Sequence, residues 1–197
     1  MPIDDVAFSV SLMALLARVD LPTRADGQDV QARLDEVLSA ATGVLGVDSV
    51  GLMMLDEDDV LRVVGVTDDA AGVLEAAQQR LDVGPGIDCV RDGAVVAVDD
   101  LAGSERYAPV WECLRGPSNG QPRGGGAARA VLSVPVRVRG ETVGTLNALH
   151  RTPQRWDDAQ VRAVEAYGAV IAILLRLEAA ARTDGSVPNR PRPIEED

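Results

Sequence analysis

The spacing of apolar residues changes several times along this chain, and each change predicts an element. From Asp29 to Gly46, Val30, Leu34, Val37, Leu38, Ala41, Val44 and Leu45 recur three or four residues apart, which predicts a helix with one apolar face. Gly46 stands where a left-handed C-terminal cap is expected. Ser49 to Leu55 and Val60 to Thr67 are short apolar runs joined by Asp56-Glu57-Asp58-Asp59, a hairpin pattern with an acidic turn. The first run is apolar at successive positions, so it is expected to be a central strand covered on both faces.

Asp68 to Leu81 predicts a second helix, and Gly84-Pro85-Gly86 a tight turn. A short helix over Ile87 to Asp92, closed by Gly93, and a strand over Ala94 to Val98 follow. Another short helix is expected from Tyr107 to Arg115. Gly116 to Ala128, rich in Gly, Pro, Ser and Asn, reads as a loop. Val131 to Val138 and Glu141 to Leu149 form a second hairpin around Arg139-Gly140, with Leu132, Val134, Val136 and Val138 on one face. Pro135 inside that strand predicts a local irregularity. The last helix is announced by Asp157 as N-cap with Gln160 three residues on, and by Trp156, placed to staple onto Val161. It continues through Val164, Tyr167, Val170, Ile171, Leu174 and Leu177.

Two segments flank this body. Asp5 to Val19 has helical spacing with apolar residues on two sides and stops at Leu21-Pro22. Such a helix wants two neighbours, its own domain and a partner chain. Thr183 to Asp197, with three prolines and a charged end, reads as a disordered tail. The expected organisation is an N-terminal helical segment over 1–22, one α+β domain over 29–182 and a tail over 183–197.

Composition narrows the function. The chain has 197 residues and a net charge of −12, and all nineteen of its basic residues are Arg. Without Lys there is no Schiff-base lysine and no phosphate-loop lysine. A nucleic-acid binder needs a basic face, which this balance does not supply, and an acidic surface repels anionic membranes. The longest apolar run, Ala166 to Leu175, is too short for a bilayer. The N-terminus offers neither a basic region nor an apolar leader, and Cys89 and Cys113 do not form a close metal or redox pair. These features point to a cytoplasmic protein.

The order of elements, with its local wording, resembles a GAF domain, a ligand-binding relative of the PAS fold. The matching pieces are Asp48 to Leu55, Gly84-Pro85-Gly86, Val95 to Leu101, Val131 to Val136, Gly144 to Leu149, and Trp156-Asp157-Asp158. The likeness covers roughly Asp29 to Ala181 and accommodates Pro135. It is nearest to actinobacterial GAF domains that are often fused to an ANTAR antiterminator module, although no three-helix RNA-binding unit fits after Arg182. The resemblance implies an antiparallel sheet of five to six strands, with the N- and C-terminal helices on one face and a pocket on the other. It also implies a sensor without catalysis, taking a small molecule or a signalling protein as its input and forming a homodimer through its terminal helices. A Leu174→Glu change in the last helix is then expected to break the assembly.

Met54, Cys89, Asp100, Tyr107, Trp111 and Asn147 are the candidate ligand-binding residues on that resemblance. Cyclic-nucleotide GAF domains carry a lysine and a phenylalanine in their site, and here there is no Lys and only Phe8. Bilin domains need an aromatic and histidine-rich pocket, and haem sensors a histidine before the penultimate hairpin. This chain has a single histidine, His150, which is expected at the surface at a strand end. Haem, bilin and cyclic nucleotides are therefore disfavoured, and the cofactor stays unidentified. Two alternatives remain open. One is an interaction module whose pocket is filled by its own side chains. The other is a redox sensor, or an enzyme like the free methionine sulfoxide reductases, acting through Cys89. Asp99-Asp100 is expected to end a strand and cap the next turn. The five Arg and no acidic residue between Cys113 and Gly140 suggest either anion capture or a solvated loop.

Overall fold

The computed structural model describes residues 27–116 and 127–184. The expected helix over 5–19, most of the Gly116–Ala128 loop and nearly all of the tail lie outside them. The described elements are α1 (Gly27–Leu45), β1 (Ser49–Leu55), β2 (Leu61–Val66), α2 (Asp69–Leu81), α3 (Pro85–Asp92), β3 (Val96–Val98), a 3-10 turn (Leu101–Gly103), α4 (Ala108–Arg115), β4 (Ala130–Val138), β5 (Glu141–His150) and α5 (Asp158–Asp184). The last helix thus runs two residues into the expected tail. No helix among the described residues is long and apolar enough to cross a membrane.

The five strands form one sheet in the order β2-β1-β5-β4-β3, every pair antiparallel. The α+β expectation holds. β1 is central, as its unbroken apolar run implies, lying between β2 and β5. Local chemistry fixes the turns. In the acidic turn, Asp56 Oδ1 accepts from the Asp58 and Val60 amides, and Asp59 is left-handed. In the second hairpin both Arg139 and Gly140 are left-handed, the backbone that a tight two-residue connection requires. β3 is shorter than the expected Ala94–Val98. The Gly93 and Ala94 amides are spent on the Val90 and Cys89 carbonyls that end α3. Pro135 lies beyond Ser133, the last residue of β4 that β3 reaches, and the register of β4 slips just after it, between Val136 and Arg137. The proline therefore sits where a missing ladder donor costs least.

Strand alternation gives the sheet two different faces. On one, Val50, Leu52, Leu132, Val134, Val136, Leu146 and Ala148 pack against Leu34, Leu38, Ala41 and Leu45 of α1 and Val164, Tyr167 and Ile171 of α5. The Tyr167 hydroxyl donates to the Val37 carbonyl and ties the two helices together. α5 opens with a reciprocal capping box: the Gln160 amide donates to Asp157 Oδ1 at 2.8 Å, and the Asp157 amide to Gln160 Oε1 at 3.1 Å. On the other face, α2 and α4 gather Ala71, Leu74, Ala77, Val110 and Leu114 over Val131 and Leu149. α3 fills the space beside them.

His150 corrects the expectation of a surface histidine. It ends β5, but Trp156 stacks on it at 5.1 Å between ring centroids and leaves it 8% exposed.

Candidate functional site

The layer of α2, α3 and α4 covers the sheet face on which the resemblance places a pocket. Its centre is polar. Glu75 and Gln78, three residues apart on α2, both point at the sheet and are fully buried. Asn147 of β5 donates through Nδ2 to Glu75 Oε1 and Oε2 at 2.9 and 3.0 Å. Gln78 Nε2 donates to Glu75 Oε2 at 2.7 Å, and Gln78 Oε1 accepts the Gly86 amide of α3 at 2.7 Å. Thr145, two residues before Asn147 on the same face, lies 3.1 Å from Asn147 Oδ1. A single line of contacts thus runs from the start of α3, through α2, to the middle of β5.

The backbone is shaped for this line. A Cβ on Gly51 of β1 would fall 2.0 Å from Glu75 Oε1, so the central strand must be bare there. Gly84 has φ +155 and lies where a side chain would strike Gln78, and Pro85 follows as the first residue of α3. The Gly84-Pro85-Gly86 turn is therefore the device that brings the Gly86 amide to Gln78.

Burial governs the electrostatics. Desolvation pushes the Glu75 carboxyl up to about 7, against the lowering effect of its bonds to Asn147 and Gln78. Burial likewise pushes the Cys89 thiol up to about 11, opposed by its bond to Thr145. A reactive thiolate needs the reverse shift and some exposure, and Cys89 is 0% exposed.

The six sequence candidates fall into separate places. Cys89 and Asn147 lie in the central cluster. Tyr107 is buried in the same layer, and its hydroxyl donates to Asp88 Oδ2 at 2.8 Å. Arg106 and Arg91 also pair with Asp88. Burial and the Asp88 carboxylate together push the Tyr107 phenol up. Asp100 and Trp111 form a second unit at the start of β4. Arg129 grips Asp100 with two bonds of 2.7 Å and lies 5.1 Å over the Trp111 ring. Asp100 also accepts the Ala102 amide, capping the 3-10 turn as expected, and the Arg129 guanidinium holds its carboxyl below the usual range. Of the arginines in the acid-free stretch, Arg129 is engaged in this way and Arg137 donates to the Gly93 carbonyl.

Met54 is a correction. Val50 and Leu52 face α1 and α5, so alternation sends Met54 the same way, where it packs half-buried against that cluster. Its neighbour Met53, fully buried, occupies the opposite side of β1.

Glu75, Gln78 and Asp88 were not anticipated. Polar residues on a short helix read as its solvated face, and only the close-approach glycines at 51 and 84 could have signalled otherwise. An open groove of about 550 Å³ lies on the outer flank of α2, lined by Val66, Thr67, Asp68, Asp69, Gly72, Val73 and Ala76. No group of three or more His, Cys, Asp or Glu suited to a metal occurs among the described residues.

Comparison with known proteins places this geometry. No curated protein matches the sequence. The structure is similar to the GAF domain of an Acinetobacter phosphoenolpyruvate-protein phosphotransferase, with 16% identity, TM-score 0.61, and 89% of this chain and 93% of that one covered. A GAF domain from the corresponding Coxiella burnetii protein aligns at 15% identity and TM-score 0.62 over 92% and 98% of the two chains. Free methionine-R-sulfoxide reductase from Neisseria meningitidis, solved with its substrate, aligns at 16% identity and TM-score 0.65 over 90% and 95%. At these identities the likenesses establish the fold alone. The GAF domain sequence profile matches residues 29–175. The chain belongs to the GAF domain family, a sensor and regulatory fold.

Proposed function

We propose that this chain is a non-catalytic regulatory sensor. A small ligand or a partner protein acts on the α2–α4 layer, and α1 and α5, paired with those of a second copy, carry the response. One observation supports this above the others. β5 serves both layers through alternate residues, with Thr145 and Asn147 in the polar cluster and Leu146 and Ala148 beneath α1 and α5. A displacement of the cluster moves a strand that the terminal helices rest on. A ligand shifts such an equilibrium only by its differential affinity for the two arrangements.

Catalysis through Cys89 is disfavoured by its burial and by the upward push on its thiol. The second reading, an interaction module with a self-filled pocket, is favoured by the complete burial of Glu75, Gln78, Cys89 and Asn147 against one another. Native mass spectrometry of protein from its own host separates the two. A retained small molecule, whose removal changes amide exchange in residues 75–93 and also in α1 and α5, supports the sensor. A chain that carries no adduct, and whose α1 and α5 exchange at fixed rates under every ligand tried, contradicts it and leaves the interaction module.

A further inference from the structure

We propose that Glu75 is a proton-binding site that regulates the α2–α4 layer, its protonation turning over the Asn147 amide and re-routing the hydrogen bond of Thr145. The proposal deepens the sensor reading by naming a regulator of the same layer, and rests on that reading only for the output in α1 and α5.

The argument begins with what surrounds the carboxyl. β1 carries no charged residue. On β2, Arg62 is paired with Asp56 at the acidic turn. On α2, Arg80 donates to Cys113 Sγ. On α3, Asp88 is held by Arg91, Arg106 and Tyr107, Arg91 also reaches Asp92, and Cys89 is a buried thiol. On α4, Glu112 and Arg115 pair with each other. Arg137 of β4 reaches the Gly93 carbonyl, and Glu141 and His150 sit at the two ends of β5. Among the described residues, only the neutral amides of Asn147 and Gln78 are hydrogen-bonded to the Glu75 oxygens. A fully buried carboxylate without a cation is costly, and taking up a proton removes that cost.

The amides also show how the proton would be read. Gln78 cannot turn over, because its Oε1 is the acceptor for the Gly86 amide. Asn147 can. The Thr145 hydroxyl lies beside the Cys89 sulfur, 3.1 Å from Asn147 Oδ1 and 3.2 Å from the Val134 carbonyl, and it has one hydrogen to give. With Glu75 ionised, Asn147 donates to it, and Thr145 donates to Asn147. With Glu75 protonated, its O–H donates to Asn147 Oδ1, the Asn147 amide donates to Thr145, and Thr145 donates to Val134. Both arrangements give each Glu75 oxygen and the Thr145 hydroxyl hydrogen a partner, so the cluster is a two-state element rather than a defect. The Val134 side chain lies on the opposite face, in the α1 and α5 cluster.

The test is a pH titration of the intact chain by NMR, following Glu75 Cδ and the Asn147 side-chain amide, with the Glu75→Gln variant unfolded thermally in parallel. The expected midpoint is about 7 for both signals. The wild type should lose roughly 5–10 °C of Tm relative to Glu75→Gln as pH rises from 5 to 8.5. A Glu75 midpoint near 4.5, or an Asn147 amide that does not follow it, overturns the proposal. The wild-type titration decides this even if the variant fails to fold. If both signals titrate near 7 while exchange in α1 and α5 is the same at both pH limits, the proton site stands and the sensor reading fails.

Discussion

The two faces of the sheet are both buried, yet they are built on opposite rules. Under α1 and α5, aliphatic side chains and one tyrosine close a core from which Tyr167 extends a single hydrogen bond to α1. Under α2 and α3 the same sheet carries Thr145 and Asn147, and α2 returns Glu75 and Gln78. An apolar interface is non-directional and survives sliding, whereas a buried polar network holds only in arrangements that satisfy every member. The comparison teaches where the molecule can have two discrete states. In the sensor reading proposed above, the α1/α5 side transmits a shift and the Glu75 side selects one.

Ways to break this comparison follow in order of expected size. Leu146→Ala, at a fully buried site on the apolar face, should cost about 2–5 kcal/mol in denaturant unfolding and leave the pH dependence of stability unchanged. On the polar face the largest effect should be conditional. The Glu75 carboxyl is raised from 4.5 to about 7 in the folded chain, so its neutral form is the one that folding favours. Stability from this group is therefore complete below about pH 4.5 and lost as pH rises through 7. The loss amounts to about 3 kcal/mol, and it should be absent in Glu75→Gln when both proteins are unfolded across pH 5–8.5.

A third test concerns assembly. Leu174 is half-buried against the domain's own core, whereas Ile173 and Leu177 are 48% and 42% exposed. Leu174→Glu would disturb folding and pairing together. Ile173→Glu combined with Leu177→Glu should leave Tm within about 2 °C of the parent and raise the dimer dissociation constant tenfold or more in analytical ultracentrifugation. The smallest effect is expected at Cys89. Cys89→Ser should respond to oxidants as the parent does, because the buried thiol offers no thiolate. A lost response in a folded variant would restore the redox alternative.

Much of the fold was legible in the sequence because local signals and tertiary demands agree. The spacing from Leu34 to Leu45 is the face that α1 buries, and Asp157 and Gln160 form the capping box that opens α5. Cys89, Tyr107 and Asn147 were expected on the side of the sheet away from the terminal helices, and they lie there. The rest of the site was not, for two physical reasons. Glu75 is buried by Asn147, 72 residues away, and nothing near it in the chain distinguishes it from a solvated helix position. Met54 was assigned to the wrong face because β1 has no polar residue on either side from Val50 to Leu55, so its periodicity carries no direction. The shortness of β3 was equally hidden, since it depends on which carbonyls α3 leaves for Gly93 and Ala94 to cap.

The central claim is that the layer around Glu75 selects between two packings of the terminal helices in a pair of chains. Interspin distances between two copies labelled at the exposed position Arg176 of α5 test it most directly. The account predicts two resolved distance populations whose ratio changes between pH 5.5 and pH 8.5 in the parent and is fixed in Glu75→Gln. One distance distribution, the same at both pH values, or the absence of any intermolecular distance, would contradict it.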